Sequence, residues 1–264
     1  MPPDVSSQVE NTISVTPTDT KQASKFYRND TNRESTNSLY EEAINIIPGR
    51  LTVLQTSKDL PAAQQPFHNR LNRLQRYPDC PGVSIAYDLL THTGFATEPL
   101  HFINQPKLER KFGDLTLVSD ADYVVVGQIS SLTYMVVTED LSGKQTFDRR
   151  RKQMVGDMLV AATTRHDFFL QSESEKLSPH VYGMLLWKSN VNFYQATLKH
   201  ETIVELQPGR RLPYCNQLRV QEDANWHNRK DTSSLSLFDH ADRETIAYTL
   251  SGIRKTILRM RHYA

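Results

Sequence analysis

Between Gly113 and Ala162 the hydrophobic pattern of the chain changes period, and that change constrains the fold more than any other feature. Leu115 to Val118 and Asp122 to Val126 are rich in β-branched residues. Leu132 to Thr138 is a further apolar run, with Gly127 to Ser131 as the turn between them. Branched side chains fit a pleated surface better than a helix, so these runs read as strands and the last two as a hairpin. After Leu141-Ser142-Gly143 the spacing becomes helical. Met154, Met158 and Ala161 form one row, Val155, Leu159 and Ala162 lie beside it, and Asp148 stands where an N-cap is expected.

The flanks complete an α+β pattern. Residues 1–37 are rich in Ser, Thr, Asn, Asp and Gln without an apolar period, which predicts a disordered tail; residues 38–264 form one domain. Leu39, Ala43, Ile44 and Ile47 recur at helical spacing before Pro48-Gly49, and a second helix is expected from Ala62 to Leu74. Pro81-Gly82, Thr93-Gly94 and Gln105-Pro106 break residues 80–111 into short pieces, a candidate insertion beside the core. Val181 to Trp187 and Val191 to Leu198 read as a second strand pair turning at Ser189-Asn190, and Thr202 to Leu206 as a further strand. Ile246, Leu250, Ile253 and Ile257 mark one face of a closing helix.

Composition bounds the function. The apolar runs are far shorter than the roughly 18 residues of a membrane-spanning helix, and no basic start leads into an apolar run, so no membrane and no secretory signal are expected. Cys80 and Cys215 are the only cysteines, which suits an intracellular setting, nucleus or cytoplasm. A net charge of +1 exerts no global pull on nucleic acid. Local pull is available from Arg149, Arg150, Arg151 and Lys152, and from Arg254, Lys255, Arg259 and Arg261. Each run reads equally as a solvated face or a nuclear-import signal. No Gly-rich phosphate loop, His-Glu-x-x-His pair, Gly-x-Ser-x-Gly elbow or kinase motif set is present, and the nine histidines are scattered.

Hydrolysis of a phosphodiester with Mg²⁺ or Mn²⁺ needs hard oxygen ligands converging on one point. Asp122 opens one strand and Glu139 closes the next, so antiparallel pairing brings both to one edge. Asp140 follows and points to the opposite face unless the strand ends there. Carboxylates at strand ends are also common as solvated turn formers.

The string Asp122-Tyr-Val-Val-Val, then Tyr134-Met-Val-Val-Thr-Glu139-Asp140, then Gln153-Met-Val-Gly-Asp-Met-Leu-Val-Ala-Ala162, resembles the core of the PD-(D/E)XK nuclease superfamily. It is similar to members in fungi and oomycetes, including nuclease-like domains of Crinkler-type effectors. The likeness covers Gly113 to Leu198. It implies a restriction-endonuclease-like mixed sheet flanked by helices, metal ligands at Asp122, Glu139 and Asp140, and a substrate-orienting Gln153. Two positions depart: Ala121 replaces the family's proline, and Leu141 replaces its lysine. Leucine cannot supply the positive charge that a lysine places beside the attacked phosphate. In some members, viral cap-snatching endonucleases among them, that lysine lies on the neighbouring helix. Lys152 is the first candidate here, on the row of Val155 and Leu159, and Lys144 the second; both also read as ordinary surface lysines.

Three functions follow from this pattern: a metal-dependent nuclease on DNA or RNA, a catalytically inactive nuclease fold that binds nucleic acid or a protein, and an interaction module recruiting protein partners through its N-terminal tail.

Overall fold

The computed structural model describes residues 62, 65–77, 84–112, 115–127, 132–171, 180–197, 219–222 and 234–261. The expected tail at 1–37, the helix at 39–47 and the strand at 202–206 lie outside the described residues.

The elements run α1 (Gln65–Arg76), α2 (Ile85–His92), β1 (Leu100–Asn104), β2 (Glu109–Phe112), β3 (Leu115–Val118), β4 (Tyr123–Gly127), β5 (Thr133–Asp140), α3 (Phe147–Gln171), β6 (His180–Trp187), β7 (Asn190–Thr197), β8 (Arg219–Glu222), β9 (Leu235–Ser236) and α4 (His240–Arg261). The fold is α+β, with a mixed sheet in the order β1-β4-β5-β6-β7-β8; β9 also pairs with β7, and β2 and β3 form a separate ribbon. Among the described residues, β5 and β6 are parallel and every other pairing is antiparallel. A parallel pair needs a long crossover, and α3 supplies it. None of the described helices is long and apolar enough to cross a membrane.

Residues 80–111, the candidate insertion, are described from residue 84 and supply α2, β1 and most of β2. β1 is an edge strand of the central sheet, paired with β4 from Leu100↔Gly127 to Asn104↔Tyr123. The breakers mark the ends of short elements, of which α2 and β1 pack with the central sheet and β2 with the separate ribbon. The N-terminus of α3 also differs from expectation, since the helix begins at Phe147 and the Thr146 hydroxyl accepts the Arg149 N–H at 3.4 Å. Asp148 therefore lies inside the first turn, where its charge suits the helix dipole.

Strand alternation divides the sheet's two faces. Met135, Val137, Tyr123 and Val125 face a core built with α1, α2 and α4, through Phe67, Leu89, Ile246 and Leu250 among others. Val124, Val126, Val136 and Leu185 face Met154, Val155, Met158 and Ala161 of α3. Gly183 of β6 lets the sheet lie close against α3, because a Cβ there would lie 2.6 Å from Met158 Sδ and 2.9 Å from Met154 Sδ. Gly183→Ala is expected to destabilise the fold by about 1–3 kcal/mol, near the lower end because the thioethers can shift. Urea unfolding midpoints at an unchanged m-value check this.

Candidate functional site

The hairpin β4–β5 carries Asp122 and Glu139 to one end of the sheet. Asp122 directly precedes β4; its N–H donates to Val137 O at 2.9 Å, and its carbonyl accepts from Gln105 N at 2.7 Å. Its carboxylate Oδ2 accepts the Glu139 backbone N–H at 2.6 Å. This bond runs from the Glu139 main chain to the Asp122 side chain and places the two residues at neighbouring strand ends.

Glu139 lies on the α2 face of β5, with Val137. Its Oε1 accepts the backbone N–H groups of Ile85 at 2.8 Å and Ala86 at 3.1 Å. These belong to the first turn of α2, whose N–H groups have no intrahelical partners, so Glu139 acts as a cap reaching in from the sheet. Ser84 is the N-cap residue of α2; its Oγ accepts Tyr87 N–H at 3.1 Å and the Tyr123 hydroxyl at 2.9 Å, and its side chain is hydrogen-bonded to Glu139. Burial pushes the Glu139 carboxyl up to about 7, against the lowering effect of Ala86, Ser84 and Ile85, and the charge of Asp122 adds to the rise. Burial also raises Asp122; the Glu139 N–H and Arg150 oppose this, while Asp120 and Asp140 reinforce it.

Asp140 takes the opposite face, toward α3, as alternation requires. Its Oδ2 accepts from Arg150 Nε at 3.1 Å and Gln145 N at 3.2 Å, and its Oδ1 from the Ser142 hydroxyl at 3.0 Å. Burial alone would raise its carboxyl, but the Gln145 N–H, the Arg150 guanidinium and the Ser142 hydroxyl hold it below the ordinary value. Gly143, at φ 62°, closes the turn that aims these donors. The Asp140 carboxylate is thus already satisfied by three donors.

Arg150 is the cation of this edge. Its Nη1 donates to Gln153 Oε1 at 3.0 Å, and Gln153 Nε2 donates to Asp120 O and Asp120 Oδ2, both at 3.2 Å. Asp157, one turn further along α3, is 2% exposed. It accepts Asp120 N–H at 2.9 Å and the Thr138 hydroxyl at 3.4 Å. Burial lifts Asp157 to about 6, against the Asp120 N–H. Arg150, Gln153 and Asp157 form one polar row at i, i+3 and i+7 on the helix.

The other expected site residues lie elsewhere. Lys152 is exposed on α3 instead of following Val155 onto the sheet, and Lys144 is exposed in the loop with its N–H 3.4 Å from Ser142 Oγ. Leu141 is partly buried and packs on the α2-side core. Arg149 is exposed and Arg151 half-buried. Arg254, expected at a nucleic-acid surface, is 8% exposed; its Nε donates to Gly94 O at 2.9 Å and its Nη2 to Thr97 Oγ1 at 3.2 Å. It pins the turn after α2, so its charge is withdrawn from the surface. Lys255, next to it, is half-buried.

Sequence reasoning missed Asp157, Asp120 and Ser84, and placed Arg150 on a surface. The signal for Asp157 was present, because an aspartate beside Met154, Met158 and Ala161 interrupts an apolar face and requires partners. Among the described residues, no three His, Cys, Asp or Glu side chains are grouped so as to hold a metal ion. Comparison with models of known protein families finds no match, and no curated protein matches the chain.

Proposed function

We propose that the chain is a PD-(D/E)XK-type nuclease, with a restriction-endonuclease-like sheet, in which Arg150 of α3 replaces the motif lysine. The observation that supports this reading is the hydrogen bond from the Glu139 backbone N–H to the Asp122 carboxylate, which sets the two acids at adjacent strand ends, with Arg150 close enough to act on the Asp122 charge. The donor set fits Mg²⁺ or Mn²⁺ in kind: two carboxylates, both raised by burial and by neighbouring acids, supply hard oxygens and lack a lysine to balance them. Asp122 and Glu139 would hold the ion, which when bound would polarise a phosphate oxygen and activate water. The Asp122 carboxylate has acceptor capacity beyond the Glu139 N–H that it accepts. Asp140 positions the Arg150 guanidinium from the α3 face, and Gln153 fixes its far end. The substrate class is nucleic acid, DNA or RNA.

A second reading is favoured by a specific observation. Glu139 already caps α2 and Leu141 is packed into the core, so the edge also suits an inactive fold that binds nucleic acid or a protein without cutting it. Calorimetry with Mn²⁺ distinguishes the two. The nuclease reading expects binding to the wild type and at least a roughly tenfold weaker affinity for Asp122→Asn, since losing even an outer-shell partner of a metal ligand costs about that much. A gel of plasmid and single-stranded RNA incubated with Mn²⁺ should then show nicked or shortened product. Absence of Mn²⁺ binding would leave only the binding reading.

A further inference from the structure

Beside the acid edge lies a row of aromatic rings that the proposed chemistry does not use. Tyr87 of α2 meets Phe102 of β1 edge to face, with centroids 5.4 Å apart and planes at 85°. Phe102 meets Tyr123 of β4 in the same way, at 5.8 Å and 82°. The row is tied to the acids through Ser84, whose Oγ accepts both Tyr87 N–H and the Tyr123 hydroxyl, and whose side chain is hydrogen-bonded to Glu139. Tyr123 also follows Asp122 directly in the chain. The inner ring, Tyr123, is 8% exposed, whereas the outer ring, Tyr87, is 47% exposed.

A single exposed tyrosine is ordinary on a protein surface. Three further facts distinguish this one. An edge-to-face contact occupies at most one face of a ring, so the packing against Phe102 leaves π-surface of Tyr87 toward solvent. Asn104, exposed, stands opposite Tyr123 in the β1–β4 register and on the Phe102 side of β1, which sets an amide donor and acceptor beside the rings. The backbone of the next residue, Gln105, is bonded to Asp122. Rings, amide and acids therefore share one rim.

We infer that Tyr87, with Phe102 behind it and Asn104 beside it, is a stacking site for an unpaired nucleobase of a strand whose phosphate lies at the Asp122–Glu139 edge. The inference rests on the nucleic-acid reading above and narrows its substrate to single-stranded or unpaired segments. Stacking is tolerant of sequence because every base has a π-face, while bases inside a duplex are already stacked and cannot reach Tyr87.

The test is fluorescence anisotropy of the full chain, without divalent metal, on a labelled single-stranded oligonucleotide and on the same sequence as a blunt duplex. Tyr87→Ala should weaken single-strand binding by about tenfold or more, with duplex binding unchanged. Tyr87→Phe should bind as the wild type does, because the ring is kept. Tyr87→Leu, which retains an apolar contact to Phe102 but has no π-face, should reproduce the alanine loss and serves if alanine disturbs α2. Single-strand affinity unaltered in Tyr87→Leu, equal losses on both substrates, or a wild type that binds neither would overturn the inference. Mn²⁺ calorimetry on Asp122→Asn, which contains no nucleic acid, reports separately on the metal reading.

Discussion

Arg150→Ala is expected to cost about 3 kcal/mol of stability and, in any preparation that cleaves nucleic acid, at least about a hundredfold in rate. The stability term follows from burial. The side chains of Asp140 and Arg150 are 3% and 16% exposed, and Nε meets Oδ2 at 3.1 Å, so removing the guanidinium leaves a carboxylate with no counter-ion in a place that water barely reaches. The Gln145 N–H and Ser142 hydroxyl remain on Asp140, which places the loss toward the low end of the range for a broken buried pair. Gln153 loses its partner as well and with it part of the hold on Asp120. The rate term follows from charge, because Arg150 is the cation that acts on Asp122 while Leu141 supplies none. Arg150→Lys separates the two. It restores charge, but a point ammonium cannot bridge Asp140 and Gln153 as the fork does, so stability should recover only in part. Lys152→Ala is the control, since that side chain is exposed, and it should leave both quantities near wild type. Denaturant melts and single-turnover cleavage with Mn²⁺ check these values. A cleaving enzyme indifferent to Arg150 but lamed by Lys152→Ala would return the catalytic cation to the row predicted from sequence.

The central hairpin, α3 and the β6–β7 pair were legible because each is dictated by local chemistry: branched residues at period two, then apolar residues at period 3.6. The acid pair was legible for the same reason, as a strand start and a strand end fall together once the hairpin closes. What the sequence hid is contact between segments far apart in the chain. Glu139 meets α2 more than fifty residues upstream, at Ile85 and Ala86, and nothing local marks a strand-end glutamate as the cap of a distant helix. Arg254 reaches Gly94 and Thr97 across the fold, so a residue that reads as surface charge in its own helix is a buried clamp. Residues 80–111 are obscured by their punctuation: Pro and Gly cut them into short pieces, and nothing local shows that one of these, β1, pairs with β4. Arg150 was misread because a run of three arginines and a lysine invites a collective assignment, whereas a helix turns each residue about 100° from the last and gives the four different surroundings.

Glu139 also gives the protein a pH signature. Its carboxyl, raised from 4.5 to about 7 in the fold, stays protonated in the native state over an interval in which the unfolded chain has already lost that proton. The native state then binds more protons than the unfolded state, so stability from this group is fully present below pH 4.5 and declines as pH rises toward 7. The decline is at most about 3 kcal/mol, because each pKa unit corresponds to about 1.4 kcal/mol. Asp157, raised to about 6, acts in the same direction over a lower interval. Glu139→Gln keeps an oxygen to accept from Ile85 and Ala86 but cannot ionise, so it should flatten the slope and be more stable than wild type near pH 8. Glu139→Ala should instead be less stable at every pH, since two first-turn N–H groups of α2 lose their acceptor. A divalent cation held by Asp122 and Glu139 would favour the ionised carboxylate, so Mn²⁺ should raise the wild-type unfolding midpoint more at pH 8 than at pH 5.5 and leave Glu139→Gln little changed. Chemical denaturation of the three proteins at stepped pH, with and without Mn²⁺, measures all of these. A wild-type slope no steeper than that of Glu139→Gln would show that the carboxyl is not raised, and a slope present but insensitive to Mn²⁺ would make Glu139 a cap of α2 alone.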